Sequence, residues 1–310
     1  MIEGESKMKN KFSAYLELTL AMFIAGSSVV VSKLLVQTLP IFLTSELSLI
    51  TALIVLIPLT FRIKKELPKI DKRTMLMLFF QSTTGVFLFR ILLFFGLKFT
   101  SASESGLITS TSPAIIGILA FFILKEKLYL NRILGIVFVV FGILLINIYS
   151  LFILPSSNVN FIKGTLLVFL AVLCEALFSI LSKKNDIQIP PIYRTTIITI
   201  FSTLCFIPFA LHDLLSFDFT NLNTTIYLSI GYNGVFVSVI SYILWFKGIR
   251  KVDANNAAVF SGVMPISCIL LSSIVLREKI LPIHIISLIF ILLGIYFSCS
   301  NILSGATTRR

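Results

Sequence analysis

Apolar and polar positions alternate along this chain on the scale of whole helices. A helix needs about 20 mostly apolar residues to cross the hydrocarbon core, and runs of that length recur ten times. They fall at residues 13–35, 40–61, 74–97, 103–124, 129–150, 162–182, 193–212, 224–247, 254–275 and 280–301. Short polar connections separate them and carry the helix breakers Pro40, Pro68, Pro155, Pro190, Pro191 and Pro282. The pattern predicts an all-α integral membrane protein with ten transmembrane helices and no room for a soluble domain.

The pattern also repeats. Residues 96–127, GLKFTSASESGLITSTSPAIIGILAFFILKEK, superpose without a gap on residues 248–279, GIRKVDANNAAVFSGVMPISCILLSSIVLREK. A shift of 152 positions places Gly96 on Gly248, Ala102 on Ala254, Pro113 on Pro265, Leu119 on Leu271, Leu124 on Leu276, Glu126 on Glu278 and Lys127 on Lys279. A period near half the chain length points to duplication. Ser32 and Lys33 echo Ser182 and Lys183 more weakly, 150 positions later. Each half holds five spans, an odd number, so the second copy is expected to be inverted, giving two inverted five-helix repeats around a central cavity. The expected organisation is a tail (1–12), a first repeat (13–150), a linker (151–160), a second repeat (161–301) and a tail (302–310).

Composition agrees with this reading and adds an orientation. Hydrophobic residues make up 57% of the chain, charged residues 13%, and mean hydropathy is +1.01, values that a water-facing surface does not allow. The 26 Lys and Arg against 14 Asp and Glu are spread over short loops, which argues for a topology signal rather than nucleic-acid binding. Twenty of them fall on the side that holds the N-terminus and five, Lys33, Lys98, Lys163, Arg277 and Lys279, on the other. The positive-inside rule then places both termini in the cytoplasm, with the protein in the plasma membrane. No A-x-A cleavage site follows the first run, so it is expected to be retained. The four cysteines lie in apolar segments without a CxxC pair, and neither a disulfide frame nor a metal site is expected.

Ionisable residues inside spans are costly and mark function or a buried pair. Arg90 lies eight residues from Lys98, about 12 Å deep, and Glu175 twelve residues from Lys163, about 18 Å deep, at 1.5 Å per residue. Glu46, about 9 Å deep by the same measure, is an alternative mate for Arg90. In one reading Arg90 holds a substrate carboxylate or phosphate bidentately and Glu175 takes a substrate ammonium or a coupling proton; in the other, Arg90 and a glutamate form a bridge between helices. Glu104 sits in a turn at the start of span 4, where a helix N-terminus also suits a carboxylate, and Glu17 lies near the cytoplasmic face. Trp245 and Tyr242 on span 8 and Ser27 on span 1 are further candidate substrate contacts. Pro113 and Pro265, each read as mid-helix, remove a backbone hydrogen bond and are candidate hinges. Glu126, Lys127, Glu278 and Lys279 stand at membrane boundaries and are expected to fix helix ends.

Ten spans in two halves, each with a glycine, a small-residue turn, a proline and a terminal [KR]-E-K, together resemble the drug/metabolite transporter superfamily, in its EamA-like branch. The resemblance covers nearly the whole chain. It implies a secondary carrier, often an exporter of amino acids or other small metabolites, with a cavity lined by spans 1, 3, 4, 6, 8 and 9. Ala25 replaces the tryptophan usual before the glycine of span 1, and Glu175 stands where an aromatic is common. No G-x-x-x-x-G-K-[ST] loop is present, so transport is expected to be gradient-driven. No HExxH or paired-Asp motif suggests an enzyme, and no cofactor is expected. Against the carrier stand a carrier of anionic or nucleotide-like metabolites, a passive channel and a non-transporting membrane partner.

Overall fold

In a computed structural model, the structure describes residues 2–62, 70–109, 111–124, 130–153, 158–184, 189–219, 222–249, 251, 260 and 263–305. Its helices are α1 (Ile2–Thr38), α2 (Ile41–Arg62), α3 (Lys72–Phe99), α4 (Ala102–Thr109), α5 (Ser112–Leu124), α6 (Leu130–Ile153), α7 (Asn158–Lys184), α8 (Pro191–Ser216), α9 (Thr224–Ile249), α10 (Val263–Val275) and α11 (Pro282–Gly305). Among the described residues there is no strand. Among the described residues, seven helical stretches are long and apolar enough to cross a membrane, and shorter apolar helices lie at Ile133–Gly142, Val263–Val275 and Pro282–Gly294. The chain is a multi-pass membrane protein.

Local chemistry fixes several helix ends. Asp71 caps α3 by accepting from the Thr74 amide at 3.2 Å, Asn223 caps α9 through the Thr225 amide at 2.9 Å, and Pro191 opens α8, where its missing N–H costs no hydrogen bond. The helix of the first span begins at Ile2, so the N-terminal segment expected as a separate tail continues it. The fourth span is broken rather than bent. Thr109 and Thr111 hydroxyls donate to the carbonyls of Gly106 and Ile108 at 3.0 and 2.7 Å. Helix α5 starts afresh at Ser112, so Pro113 occupies a first turn instead of the helix middle. Pro265 lies in α10, which the structure describes from Val263 onward.

Packing joins α1 to α9 and α10, α3 to α7 and α8, α2 to α8 and α9, α5 to α7, α4 to α10, and α6 to α11. One apolar cluster, including Val29, Phe94, Leu97, Val168, Val172 and Cys268, fills the space between α1, α3, α7 and α10. A second, with Leu49, Leu78, Phe178, Phe206 and Phe246, lies between α2, α3, α7, α8 and α9. At the α3–α7 crossing Gly96 faces Gly164: a Cβ on Gly96 would lie 3.1 Å from the Gly164 carbonyl and 2.6 Å from Val168. Only bare backbone permits that approach. Large apolar side chains such as Phe61, Phe122, Leu215, Leu228 and Ile274 face outward, as lipid contact requires.

Candidate functional site

Helices α3 and α9 each contain a wide, π-helical stretch, at Thr83–Leu88 and Asn233–Ser241. The Ser238 hydroxyl donates to the Asn233 carbonyl five residues back at 2.9 Å, consistent with the wider turn. Such insertions rotate the rest of the helix about its axis and recur at functional sites. Arg90 stands two residues past the first stretch, and Tyr242 directly follows the second.

Arg90 is 7% exposed. Its Nη2 donates to the Ser238 hydroxyl at 2.7 Å and its Nη1 lies 3.5 Å from the Ser45 carbonyl. A small cavity adjoins it, lined by Leu49, Val86, Thr195, Thr199, Ser238 and Tyr242 among others, with room for about one water molecule. Among the described residues no carboxylate lines this space. The chain is thus closed around Arg90. The resemblance implied walls from spans 1, 3, 4, 6, 8 and 9; the space beside Arg90 is bounded instead by α2, α3, α8 and α9.

Arg90 pairs with neither glutamate expected as its mate. No ion pair joins it to Glu46 or Glu175 within 4.0 Å. Glu46, 6% exposed, and Glu175 each keep one buried carboxylate oxygen without a hydrogen-bond partner. Glu46 does act electrostatically on Arg90. Ser112, at the start of α5, lies beside Glu175. Tyr242 interacts electrostatically with both Arg90 and Glu175.

The other candidates are placed elsewhere. Ser101 and Glu104 form a capping box on α4: the Ser101 hydroxyl accepts from the Glu104 amide at 3.1 Å, and Glu104 accepts from the Ser101 amide at 3.0 Å. The S-x-x-E spacing carried that signal in the sequence. Ser27 shares a 2.6 Å hydrogen bond with the Tyr232 hydroxyl, tying α1 to α9. Trp245 packs on the second apolar cluster and is not among the residues that line the cavity. Glu17 is ion-paired with Lys251 at 2.7 Å. Glu278 caps α4 across the bundle, and Lys279 is exposed. Glu126 and Lys127 lie outside the described residues, and Pro113 is described in its backbone alone. Ser238, Thr195 and Thr199 were not anticipated; an isolated hydroxyl residue in an apolar span carries little signal until its neighbours are known.

The sequence profile of the EamA-like transporter family matches this chain twice, at residues 12–148 and 162–300. The chain belongs to the EamA-like transporter family. It is therefore a transporter of the drug/metabolite type, and the resemblance drawn from the paired Gly, Pro and Glu-Lys landmarks holds. Relatives within reach include the uncharacterized transporter YetK of Bacillus subtilis (strain 168), 37% identical over 293 residues that span 94% of this chain and 88% of YetK. An uncharacterized transporter of Archaeoglobus fulgidus is 25% identical over 249 residues, covering 79% of this chain and 83% of its own. A solved protein crystal structure has the same fold with a TM-score of 0.66 at 15% identity, over 96% of this chain and 98% of that one.

Proposed function

We propose that this EamA-like transporter is a gradient-driven carrier that moves a small polar metabolite, such as an amino acid, out across the plasma membrane by alternating access. Ten spans in two inverted repeats form the machine, both termini lie in the cytoplasm, and Arg90 holds the substrate's anionic end. The observation that carries this reading is a buried guanidinium with only neutral hydrogen-bond partners, beside a cavity built by both halves of the chain. A buried charge with no ion pair within 4.0 Å is expensive to keep, and a substrate anion would supply that contact.

Three features support the repeat as the frame of this site. The helix contacts exchange under a swap of the halves: α1 with α9 and α10 corresponds to α7 with α3 and α5, while α2 with α8 and α6 with α11 map onto themselves. The internal prolines Pro58 of α2 and Pro208 of α8 are 150 positions apart, as are Pro40 and Pro190. The cavity walls correspond as well, since Leu49 matches Thr199 at the 150 shift, and Val86 matches Ser238 and Arg90 matches Tyr242 at 152. A ligand on a two-fold axis touches both halves, as alternating access requires.

Glu175, with an unpartnered carboxylate oxygen next to the break in span 4, is proposed to take the substrate ammonium or a coupling proton in turn. An anionic metabolite is the second reading, favoured by the absence of a carboxylate among the described cavity walls. Counterflow in proteoliposomes tests the carrier: internal unlabelled substrate should accelerate uptake of labelled substrate in the wild type and not in Arg90→Gln. Flux without this acceleration would point to a channel and remove the reading.

A further inference from the structure

One end of the bundle is tied by two charged side chains, each bonded to the backbone of another helix. Glu278 lies between α10 and α11. Its carboxylate takes the Ala102 amide at 2.8 Å, the Ser103 amide at 3.0 Å and the Ser103 hydroxyl at 2.7 Å. The Ser103 hydroxyl also meets the Ser272 hydroxyl of α10 at 2.7 Å. The chain turns into this position at Arg277, whose φ of 54° is left-handed. At the same corner Lys33, near the end of α1, donates to the carbonyls of Leu97 and Thr100 at the C-terminal end of α3. Glu278 and Glu104 act on its ammonium electrostatically.

This corner joins elements of both halves, α1, α3 and α4 to α10, and both of its ties end on backbone groups that a helix terminus leaves unpaired. Helix α4 does not need Glu278 in order to form. Its capping box already serves the Glu104 and Ser101 amides, and the Ser105 amide bonds to the Ser101 carbonyl at 3.1 Å. What Glu278 adds are the two amides that water would otherwise solvate. A tie that water can replace at both ends is suited to opening and closing.

We propose that Glu278 and Lys33 form a latch that holds this end of the bundle shut, and that Glu278 is a positioning residue of the transport cycle. Substrate bound at Arg90 is then shielded on this side until the α4–α10 seam parts. The proposal rests on the carrier reading for its purpose, although its geometry does not.

Opening of the seam can be measured without the substrate. Spin labels are placed at Lys98→Cys and Lys279→Cys, both exposed, in full-length protein with its native cysteines replaced, and their distance distribution is measured in proteoliposomes. One short-distance population should dominate with the latch intact. Glu278→Ala should raise the ratio of long to short populations at least about tenfold, Lys33→Met should act in the same direction, and Glu278→Gln should have a smaller effect because it keeps one acceptor oxygen. Ser101→Ala, which breaks the capping box of the same helix without removing a charge, should lower thermal stability without moving the distribution. An unchanged distribution in a folded Glu278→Ala protein would overturn the latch. So would an equal shift in Ser101→Ala, since fraying of α4 would then suffice. A shift in Glu278→Ala with no counterflow in the wild type supports the latch and removes the carrier; counterflow with unmoved distances does the reverse.

Discussion

Replacing Arg90 by methionine separates a substrate anchor from a structural bridge. Placing an arginine at the centre of a membrane helix costs about 2.5–3.5 kcal/mol on insertion scales. Its charge-assisted bond to Ser238 at 2.7 Å returns roughly 1.5–3 kcal/mol, and the 3.5 Å contact with Ser45 adds little at that length. Arg90 therefore leaves the fold between even and about 2 kcal/mol worse off. Met fills the same apolar space, and Ser238 keeps its own acceptor at Asn233. Arg90→Met should accordingly unfold at the same temperature or as much as roughly 8 °C higher, taking about 2–4 °C per kcal/mol for a chain of this size, while losing transport by about 100-fold or more. Unfolding can be followed by fluorescence of Trp245, the single tryptophan. A bridge to Glu46 would behave in the opposite way: breaking a buried pair costs about 3–5 kcal/mol. A loss of that size, restored in the double variant Arg90→Met with Glu46→Gln, would refute the reasoning.

Three further outcomes are expected. A Cβ on Gly26 would lie 2.3 Å from the Met264 carbonyl oxygen, whereas one on Gly117 meets nothing within 4 Å; Gly26→Ala should cost about 1–3 kcal/mol through overpacking, and Gly117→Ala should be neutral or gain up to about 1 kcal/mol of helix propensity, as read by thermal unfolding. Glu175→Gln should keep substrate exchange in counterflow but lose uptake driven by an imposed pH gradient; retention of pH-driven uptake would exclude Glu175 as the proton carrier. At the N-terminus of α3, the hydrogen bond from Thr74 holds the Asp71 carboxyl below its usual range. A depressed folded-state value gives stability that is present above the unfolded value, near 3.9, and is lost as pH falls through the folded one. Asp71→Ala should thus lower stability at neutral pH and flatten the acid limb of the unfolding profile, whereas a parallel limb in both proteins would mean that the cap carries no charge dependence.

The helices were legible because bilayer thickness imposes a run length that a single chain displays openly, and the duplication was legible because Gly96, Pro113 and Glu126 recur at one spacing in the second half. Two kinds of feature were not. Pro113 looked mid-helix because the run of apolar residues continues past it; Thr111 stands in a turn just before Ser112, where α5 begins, a local change that hydropathy does not register. The partners of Arg90 were hidden because depth along a helix is readable from residue number while azimuth is not. Arg90, Glu46 and Glu175 were placed at about 9–18 Å from the same face, yet the Arg90 guanidinium is bonded to Ser238 and forms no ion pair with either glutamate.

The division of labour at the proposed two-fold axis has the same geometric origin. Duplication gives both halves the same backbone frame, so a wholly symmetric lining would offer a ligand two equal ends. The lining is not symmetric: at matched positions the first half supplies Leu49, Val86 and Arg90, and the second Thr199, Ser238 and Tyr242. The Thr199 hydroxyl donates to the Thr195 carbonyl at 2.8 Å, so toward the cavity it has only acceptor capacity left, while no bond occupies the Tyr242 hydroxyl among the described residues. One half thus offers a cation in apolar surroundings and the other neutral hydroxyls. The anionic-metabolite reading fits this lining: such a ligand would place its negative end on Arg90 and an uncharged or weakly polar end on the second half, and would keep that orientation because only one half of the lining holds a charge.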